Sequence, residues 1–327
     1  MKIGVIAITR GGRKLATMIS ATLPEATLLE PGRVAQIMAE NWLNFDGFIC
    51  IMAAGIVVRA LAPLLKDKQH DPCLVVMDEQ GNHAISLLSG HLGGGNELAR
   101  RVAAVTGGRA VITTASDNLG LVALDLWAAE QHLVADRKDM TSASTLLVNK
   151  GELTVYSEVK VNRLPVGLRL VPVPARADLV ISNKIGFDQG VVFQPKNLVV
   201  GVGCNRGTPA LEFVQALDEL FAELGLSPAA ISNLASIDKK ADENGLLAFA
   251  GDKWPIEFFS KEKINQVPGL DISPAAHKAV GAIGVAEPCA LLSARTNILI
   301  SRKRKWRNIT MAVAEASFTL SAQAPAL

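Results

Sequence analysis

Disulfide frameworks, zinc ribbons and serine-hydrolase elbows leave marks that this sequence lacks. Its four cysteines, Cys50, Cys73, Cys204 and Cys289, lie far apart, and none has CxxC or metal-finger spacing. They read as buried free thiols of a reducing cytosol. The five histidines, His70, His83, His91, His132 and His277, form no HxxxH pair, and no GxSxG motif occurs, so no metal site of the chain's own is expected. An excess of one charge is missing too. With 33 basic and 31 acidic residues the net charge is +2, which argues against a dedicated nucleic-acid binder but leaves room for local anion sites. One segment imitates a membrane span, GFICIMAAGIVVRALAPLL (47–65), but its uninterrupted part, 48–58, is too short, and Arg59 and Pro63 follow. The opening MKIGVIAIT runs into Arg10-Gly11-Gly12-Arg13 without an A-x-A cleavage site, so a first strand is expected there and a cytoplasmic location with no membrane partner. No internal repeat of fixed period is present.

Apolar residues make up 49% of the 327-residue chain, enough for more than one real core. Residues 1–135 alternate strand and helix. Strands are expected over 2–9, 26–30, 48–52, 73–77, 83–89 and 110–114. Helices are expected over 14–22, 33–44, from the Ala53-Ala54-Gly55 turn to 65, over 96–106 and over 119–132. The spacer Asp78-Glu79-Gln80-Gly81-Asn82 suits a hairpin. Strands apolar on both faces belong in a helix-covered sheet. The fold class is therefore α/β, with a doubly wound, parallel-type N-terminal sheet.

Residues 136–195 differ. After a helix over 142–149 come LTVYSEVKV, GLRLVPV and ADLVISN, punctuated by Pro165, Pro172 and Pro174. Prolines belong at sheet edges or strand starts, so a small strand-rich middle module is expected. Residues 196–320 read as a second α/β domain, with a strand over 198–203 and a helix to 224. Thr208 is its expected N-cap and Pro209 its first helical residue; Ser227-Pro228 and Ser273-Pro274 repeat the device. ILIS and NITMAVAEA flank Arg302-Lys303-Arg304-Lys305-Trp306-Arg307 like an antiparallel hairpin with a basic tip. Residues 321–327 are expected to be a frayed tail.

The candidate chemistry lies at strand-to-helix junctions, because ligands of open α/β sheets bind at strand carboxyl ends, where helix N-termini present free N–H groups. In SLLSGHLGGGNELARRV (86–102), Gly90, His91, Gly93, Gly94 and Gly95 separate an apolar run from a helix opening at Asn96. The glycines let the backbone approach a carboxylate, a phosphate or a developing oxyanion. His91 is placed to exchange a proton, and Glu97 falls in the first helical turn. The same residues also suit a tight turn, with a satisfied loop histidine and a glutamate complementing the helix dipole. In GVGCNRGT (201–208) the GxGxxG spacing is absent. There Arg206 and the helix start at Thr208 suit an anion, or simply a tight turn with an exposed arginine. Asp238 and Lys239, in ASIDKKADEN, line a third junction or a solvated charged loop. Glu287-Pro288 marks another helix entry that needs no function. Trp306 in its basic run suits a planar ligand or a solvated hairpin.

Four motifs in order, GHLGGGNELA (90–99), GVGCNRGT (201–208), ASIDKKADENGL (235–246) and VAEPCALLSA (285–294), together with residues 52–90, resemble the CbiG family, the cobalt-precorrin-5A hydrolases of anaerobic cobalamin biosynthesis. From Leu198 onward the chain resembles CobE. The resemblance implies an anionic cobalt-tetrapyrrole substrate with a δ-lactone on ring A. Water opens the lactone, and the extruded meso carbon leaves with its methyl group as acetaldehyde. The cobalt belongs to the substrate and no other cofactor is implied. For that reaction the residue-level reading supplies the expected roles: His91 assists the attack of water, the amides of Gly93, Gly94 and Gly95 hold the oxyanion, and Glu97 orients His91 or takes the proton. Arg59, after Gly55, and Arg206 hold acetate or propionate groups. Gly90, Asn96, Gly203, Asn205, Thr208, Asp238, Lys239 and Glu287 complete the expected substrate contacts. A cleft between the N- and C-terminal domains is expected, and a homodimer is among the arrangements the sequence permits. Two other classes stay open. One is a nucleotide- or flavin-dependent α/β enzyme using the Thr9-Arg10-Gly11-Gly12-Arg13 loop, and the other is a corrinoid carrier without catalysis.

Overall fold

A computed structural model describes residues 1–67, 70–91, 93–188 and 190–322. The chain divides into two compact units, Met1–Leu126 and Trp127–Leu327.

In the first unit a six-stranded sheet has the order β2-β1-β3-β4-β5-β6. Its strands are β1 (Ile3–Ala7), β2 (Ala26–Leu28), β3 (Gly47–Ile51), β4 (Cys73–Met77), β5 (His83–Leu88) and β6 (Arg109–Val111). Every residue of β1, β3 and β4 is buried, which is why they read as unbroken apolar runs. Side chains alternate between two cores. Ile3, Val5, Ile49 and Val75 pack with Ala16 and Ile19 of α1 (Arg10–Thr22) and Leu98 and Val102 of α4 (Gly95–Thr106). Ile6, Phe48, Cys50 and Val76 pack with Met38 of α2 (Val34–Asn41) and Val57 and Leu61 of α3 (Ala54–Leu61). Helices on both faces make the sheet doubly wound.

Strands β1 to β4 are parallel, β5 runs antiparallel to β4, and β6 runs parallel to β5. Leu88 therefore pairs with Leu74, and Ala84 with Met77. The segment after β5 returns to the edge where β3 and β4 begin, not to their carboxyl ends. The hairpin expected at Asp78–Asn82 is the point of reversal, and this reversal decides where the glycine loop lies.

Several expected helix limits change: the helix expected to reach 65 ends at Leu61, and the one expected from 142 starts at Arg137. Thr9 caps α1, its Oγ1 accepting from Gly12 N–H at 3.0 Å, so Thr9 to Arg13 form the first helical turn and not a loop. The helix expected over 119–132 is instead α5 (Ala115–Asn118) and α6 (Leu124–Glu130), with Gly120 between them at φ +65°.

The second unit contains a five-stranded sheet of order β10-β8-β11-β12-β7. It comprises β7 (Leu133–Val134), β8 (Leu153–Ser157), β10 (Leu168–Leu170), β11 (Leu179–Ile181) and β12 (Val191–Pro195). The helix α7 (Arg137–Lys150) precedes β8. The short strands β9 (Lys160–Val161) and β18 (Thr319–Leu320) pair with each other. The expected break at 135 falls between β7 and α7 of this unit. A second sheet, β15-β14-β13-β17-β16, contains β13 (Leu198–Cys204), β14 (Ile231–Ile237), β15 (Ile256–Phe259), β16 (Leu299–Lys305) and β17 (Ile309–Glu315). One face packs on α8 (Ala210–Leu224) and α9 (Asn244–Ala250). The other packs on α12 (Ala286–Ala294), with Ile264 of α10 (Lys261–Ile264) in the same core; α11 (Pro274–Val280) lies between these helices in the chain. The chain changes sheet at Lys196-Asn197. There Asn183 and Asn197 each donate an amide to Glu315 Oε1, at 3.0 and 2.7 Å.

Three local expectations are corrected here. Pro209, not Thr208, is the N-cap of α8, and Thr208 Oγ1 donates backwards to the Asn205 carbonyl at 2.9 Å. Ser273 makes no side-chain cap bond, whereas Ser227 accepts from Ala229 N–H. Residues 302–305 belong to β16, leaving Trp306, Arg307 and Asn308 as the hairpin turn. Of the expected tail, Ser321 is anchored: Trp127 Nε1 donates to its carbonyl and its N–H donates to Gln131 Oε1, both at 2.9 Å. Residues 323–327 lie outside the described residues. Among the described residues no helix is long and apolar enough to cross a membrane.

Candidate active site

The loop after β5 owes its glycines to crowding. A Cβ on Gly93 would stand 2.5 Å from Ser89 Cβ, one on Gly95 2.7 Å from the Leu88 carbonyl, and one on Gly90 2.7 Å from Asn96 Oδ1. Gly94 has φ +79°, and Ser89 itself sits at φ +51°. The turn is locked by backbone bonds from Gly94 N–H to the His91 carbonyl, Gly95 N–H to the Ser89 carbonyl and Asn96 N–H to the Gly90 carbonyl, at 2.9, 3.0 and 2.9 Å. The amides of Gly94 and Gly95, expected to receive an oxyanion, are thus used within the loop. Leu92 of this motif lies outside the described residues.

What the turn does is hold His91 among acids. Its Nε2 lies 2.7 Å from Asp117 Oδ2 and its Nδ1 3.6 Å from Asp125 Oδ1. Ser116 Oγ stands 3.4 Å from the same Nε2. The three side chains His91, Asp117 and Asp125 are each 18% exposed, so the pairs are screened but open to a ligand. Asp125 and then Asp117 stabilise the imidazolium more than partial burial disfavours it, and the His91 pKa is raised above 6.5. Desolvation works against the Asp117 carboxylate, but bonds from His91 and Arg100 outweigh it, and its pKa is lowered below 3.8. Arg100 donates to the other Asp117 oxygen. Asn96, buried at the mouth of α4, donates to Asp117 Oδ2 at 2.9 Å and to Thr114 Oγ1 at 3.0 Å. Its Oδ1 is buried without a hydrogen-bond partner among the described residues. The result is a charged acid–base cluster able to give a proton from nitrogen and to take one at oxygen.

Glu97 is not part of it: its side chain is 67% exposed and faces Arg100 at 3.7 Å. Asp117 and Asp125 take the orienting role expected of Glu97. Gly55 and Arg59 are not gathered there either. They lie on α3, after the carboxyl end of β3, where Arg59 donates to the Gly55 carbonyl at 3.0 Å, whereas the His91 loop borders the amino-terminal edge. Asp117 went unnoticed because ASDN reads equally as a capped helix start, and Asp125 because it reads as one polar position on a helix.

In the second unit the three marked motifs do meet. The carboxyl ends of the parallel strands β13 and β14 lie side by side. A Cβ on Gly201 would come 1.9 Å from the Ala286 carbonyl, so this glycine admits α12 to the sheet, and one on Gly203 would come 2.6 Å from Thr310 Oγ1 of β17. Gly207 N–H donates to Glu243 Oε1 at 2.8 Å, and the other oxygen of that buried carboxylate pairs with buried Lys240 at 3.2 Å. Arg206 bonds Asp242 at 2.8 Å and the Lys239 carbonyl at 3.1 Å. Asn205 bonds Asn308, Lys239 Nζ donates to the Val280 carbonyl, and buried Glu287 accepts from Lys303 N–H. Asp238 opens the short turn after β14. Lys240 and Glu243 hold the turn from behind, a role that the charged string DKKADEN did not reveal. Burial raises the Cys204 thiol to about 11.

Comparison with known proteins places two family segments on the chain. The family described as cobalamin synthesis G N-terminal matches residues 36–117, and cobalamin synthesis G C-terminus matches 198–314. A protein of Priestia megaterium named cobalt-precorrin-5A hydrolase is 35% identical over 306 residues, which is 86% of this chain and 82% of that protein. The chain belongs to the CbiG family. A second relative of that name, from Salmonella typhimurium, is 31% identical, covering 91% of this CbiG chain and 93% of its own length. The C-terminal part resembles Protein CobE of Sinorhizobium, 32% identical over 36% of the CbiG chain and 79% of CobE. The His91–Asp117 cluster lies in the N-terminal CbiG segment, outside the CobE-like part.

Proposed function

We propose that this chain is a cobalt-precorrin-5A hydrolase that opens the ring A δ-lactone of its substrate and releases acetaldehyde, with His91, Asp117 and Asp125 as its proton-transfer groups. The observation that carries this is the imidazole of His91 held between two carboxylates on a half-open surface. Its relatives' names supply the substrate.

In this mechanism Asp125 takes a proton from water as the water oxygen attacks the lactone carbonyl. The protonated His91 gives a proton to the ring oxygen as the acyl C–O bond breaks, leaving a carboxyl group and a carbinol. Asp125 then releases the proton it received to solvent, and His91 stays neutral for the next step. In the second step neutral His91 takes the carbinol proton. The bond from the extruded carbon to the macrocycle breaks, its electron pair stays on the macrocycle, and acetaldehyde leaves. A protonated His91 is the wrong form for the base role first expected of it and the right form for an acid. Asp117 positions the imidazole and keeps it charged. Cobalt enters with the substrate.

Anaerobic incubation with cobalt-precorrin-5A, with acetaldehyde read by a coupled alcohol dehydrogenase, tests the proposal. His91→Ala should lower kcat by about 10²–10⁴-fold while tetrapyrrole binding persists. Wild-type turnover in that variant removes His91 from the mechanism, and binding without acetaldehyde from the wild-type protein makes it a carrier.

A further inference from the structure

Strand β6 is the last strand of its sheet, and against it lies a cavity of about 600 Å³. That volume is in the usual range for small-molecule sites. Val111 and Ile112 supply apolar wall, and Arg100, Arg109 and His83 supply basic groups. The acid in its lining, Asp117, is already engaged by His91 and Arg100, so the cavity presents positive charge to a ligand. His83 faces Asp78 at 3.5 Å and is 59% exposed. Arg109 is exposed, and its guanidinium has no hydrogen-bond or ion-pair partner among the described residues. A free guanidinium beside apolar wall suits a ligand with an apolar body and carboxylates at its rim, because it binds a carboxylate bidentately.

We infer that the β6 edge is the carboxylate subsite of the active site, with Arg109 receiving an acetate or propionate arm of the tetrapyrrole and Ile112 lying under the ring that bears it. Asp117 connects this cavity to His91, so a macrocycle anchored at Arg109 extends toward the proton-transfer groups. The subsite's link to turnover rests on the hydrolase function proposed above; its affinity for a carboxylated macrocycle does not.

Two measurements separate these. Binding of cobalt uroporphyrin, a stable polycarboxylate macrocycle, is followed by its absorbance on wild type, Arg109→Ala, Arg109→Lys and Arg109→Glu. The control is Arg295→Glu, in the second unit. Turnover of cobalt-precorrin-5A is measured on the same proteins. Loss of one bidentate contact should weaken probe binding and raise KM roughly tenfold in Arg109→Ala. The loss should be larger in Arg109→Glu and smaller in Arg109→Lys, with kcat within about twofold and the control unchanged. Arg109 is exposed, so these variants should fold, which circular dichroism checks. Unaltered probe affinity and KM in Arg109→Glu overturn the subsite, as does a wild-type protein that ignores the probe while KM is unmoved in the variant. Arg109-dependent probe binding without acetaldehyde from wild type keeps the subsite and overturns the hydrolase function instead.

Discussion

His91 Nε2 and Asp117 Oδ2 stand 2.7 Å apart although 26 residues separate them in the chain. The contact joins the loop after β5 to the helix after β6, and it exists because those strands are parallel to each other and opposed to β4. Local sequence has no means of announcing it.

The pair should make the first unit's stability depend on pH in a definite direction. The His91 pKa is raised above 6.5, so its contribution is complete below 6.5 and is lost as pH rises through the folded value. The Asp117 pKa is lowered below 3.8, so its contribution is present above 3.8 and lost as pH falls through the folded value. Both are in force between those limits. Calorimetry should show His91→Ala melting below wild type by roughly 2–4 °C near pH 5.5, with the gap closing as pH rises through the raised His91 value. A pH-independent gap would mean that the imidazole acts by packing alone.

Activity should report the same charges. Asp117→Asn removes one of the carboxylates that hold His91 protonated, so the alkaline limb of the kcat profile should move to lower pH. Glu97→Gln, on the exposed face of α4, should leave kcat and profile near wild type. Equal profiles for Asp117→Asn and wild type would take Asp117 out of the cluster's electrostatics.

Gly201→Ala and Gly207→Ala separate crowding from backbone conformation. The Cβ of the first would meet the Ala286 carbonyl at 1.9 Å in the centre of the second unit, whereas Gly207 has open space and φ +73°. Expected losses are about 3 kcal/mol or failure to accumulate for Gly201→Ala, against about 1 kcal/mol for Gly207→Ala. Denaturant melts of the purified proteins decide it.

The Lys240–Glu243 pair is buried on both sides. Removing one partner leaves a stranded charge, so Lys240→Met should cost about 3–5 kcal/mol. The double variant Lys240→Met/Glu243→Leu should recover part of that, because no unpaired charge remains, although Gly207 N–H then loses its acceptor. Full additivity in a double-mutant cycle would mean that the two side chains do not interact.

Much of the fold was legible because burial writes itself into composition. The strands buried on both faces stood out as apolar runs, and α4 stood out after its opening glycines. The errors were local competitions. Thr208 has cap chemistry, but its hydroxyl bonds backwards to Asn205. Gly120 interrupts an apolar period that by itself promised one helix from 119 to 132. The basic run 302–305 looked like a turn and is an edge strand, where lysine and arginine discourage further pairing.

By itself the sequence determined an α/β chain, its alternation of elements, its family, and the motif in which His91 sits, since periodicity, glycine content and motif order are properties of neighbouring residues. Tertiary structure alone decided that the glycine loop spends the amides of Gly94 and Gly95 on its own carbonyls, and that His91 meets Asp117 and Asp125 instead of Glu97. The reason is physical. A side chain's protonation and partners depend on what lies within a few ångströms, and strand direction and helix packing bring those atoms from distant parts of the chain.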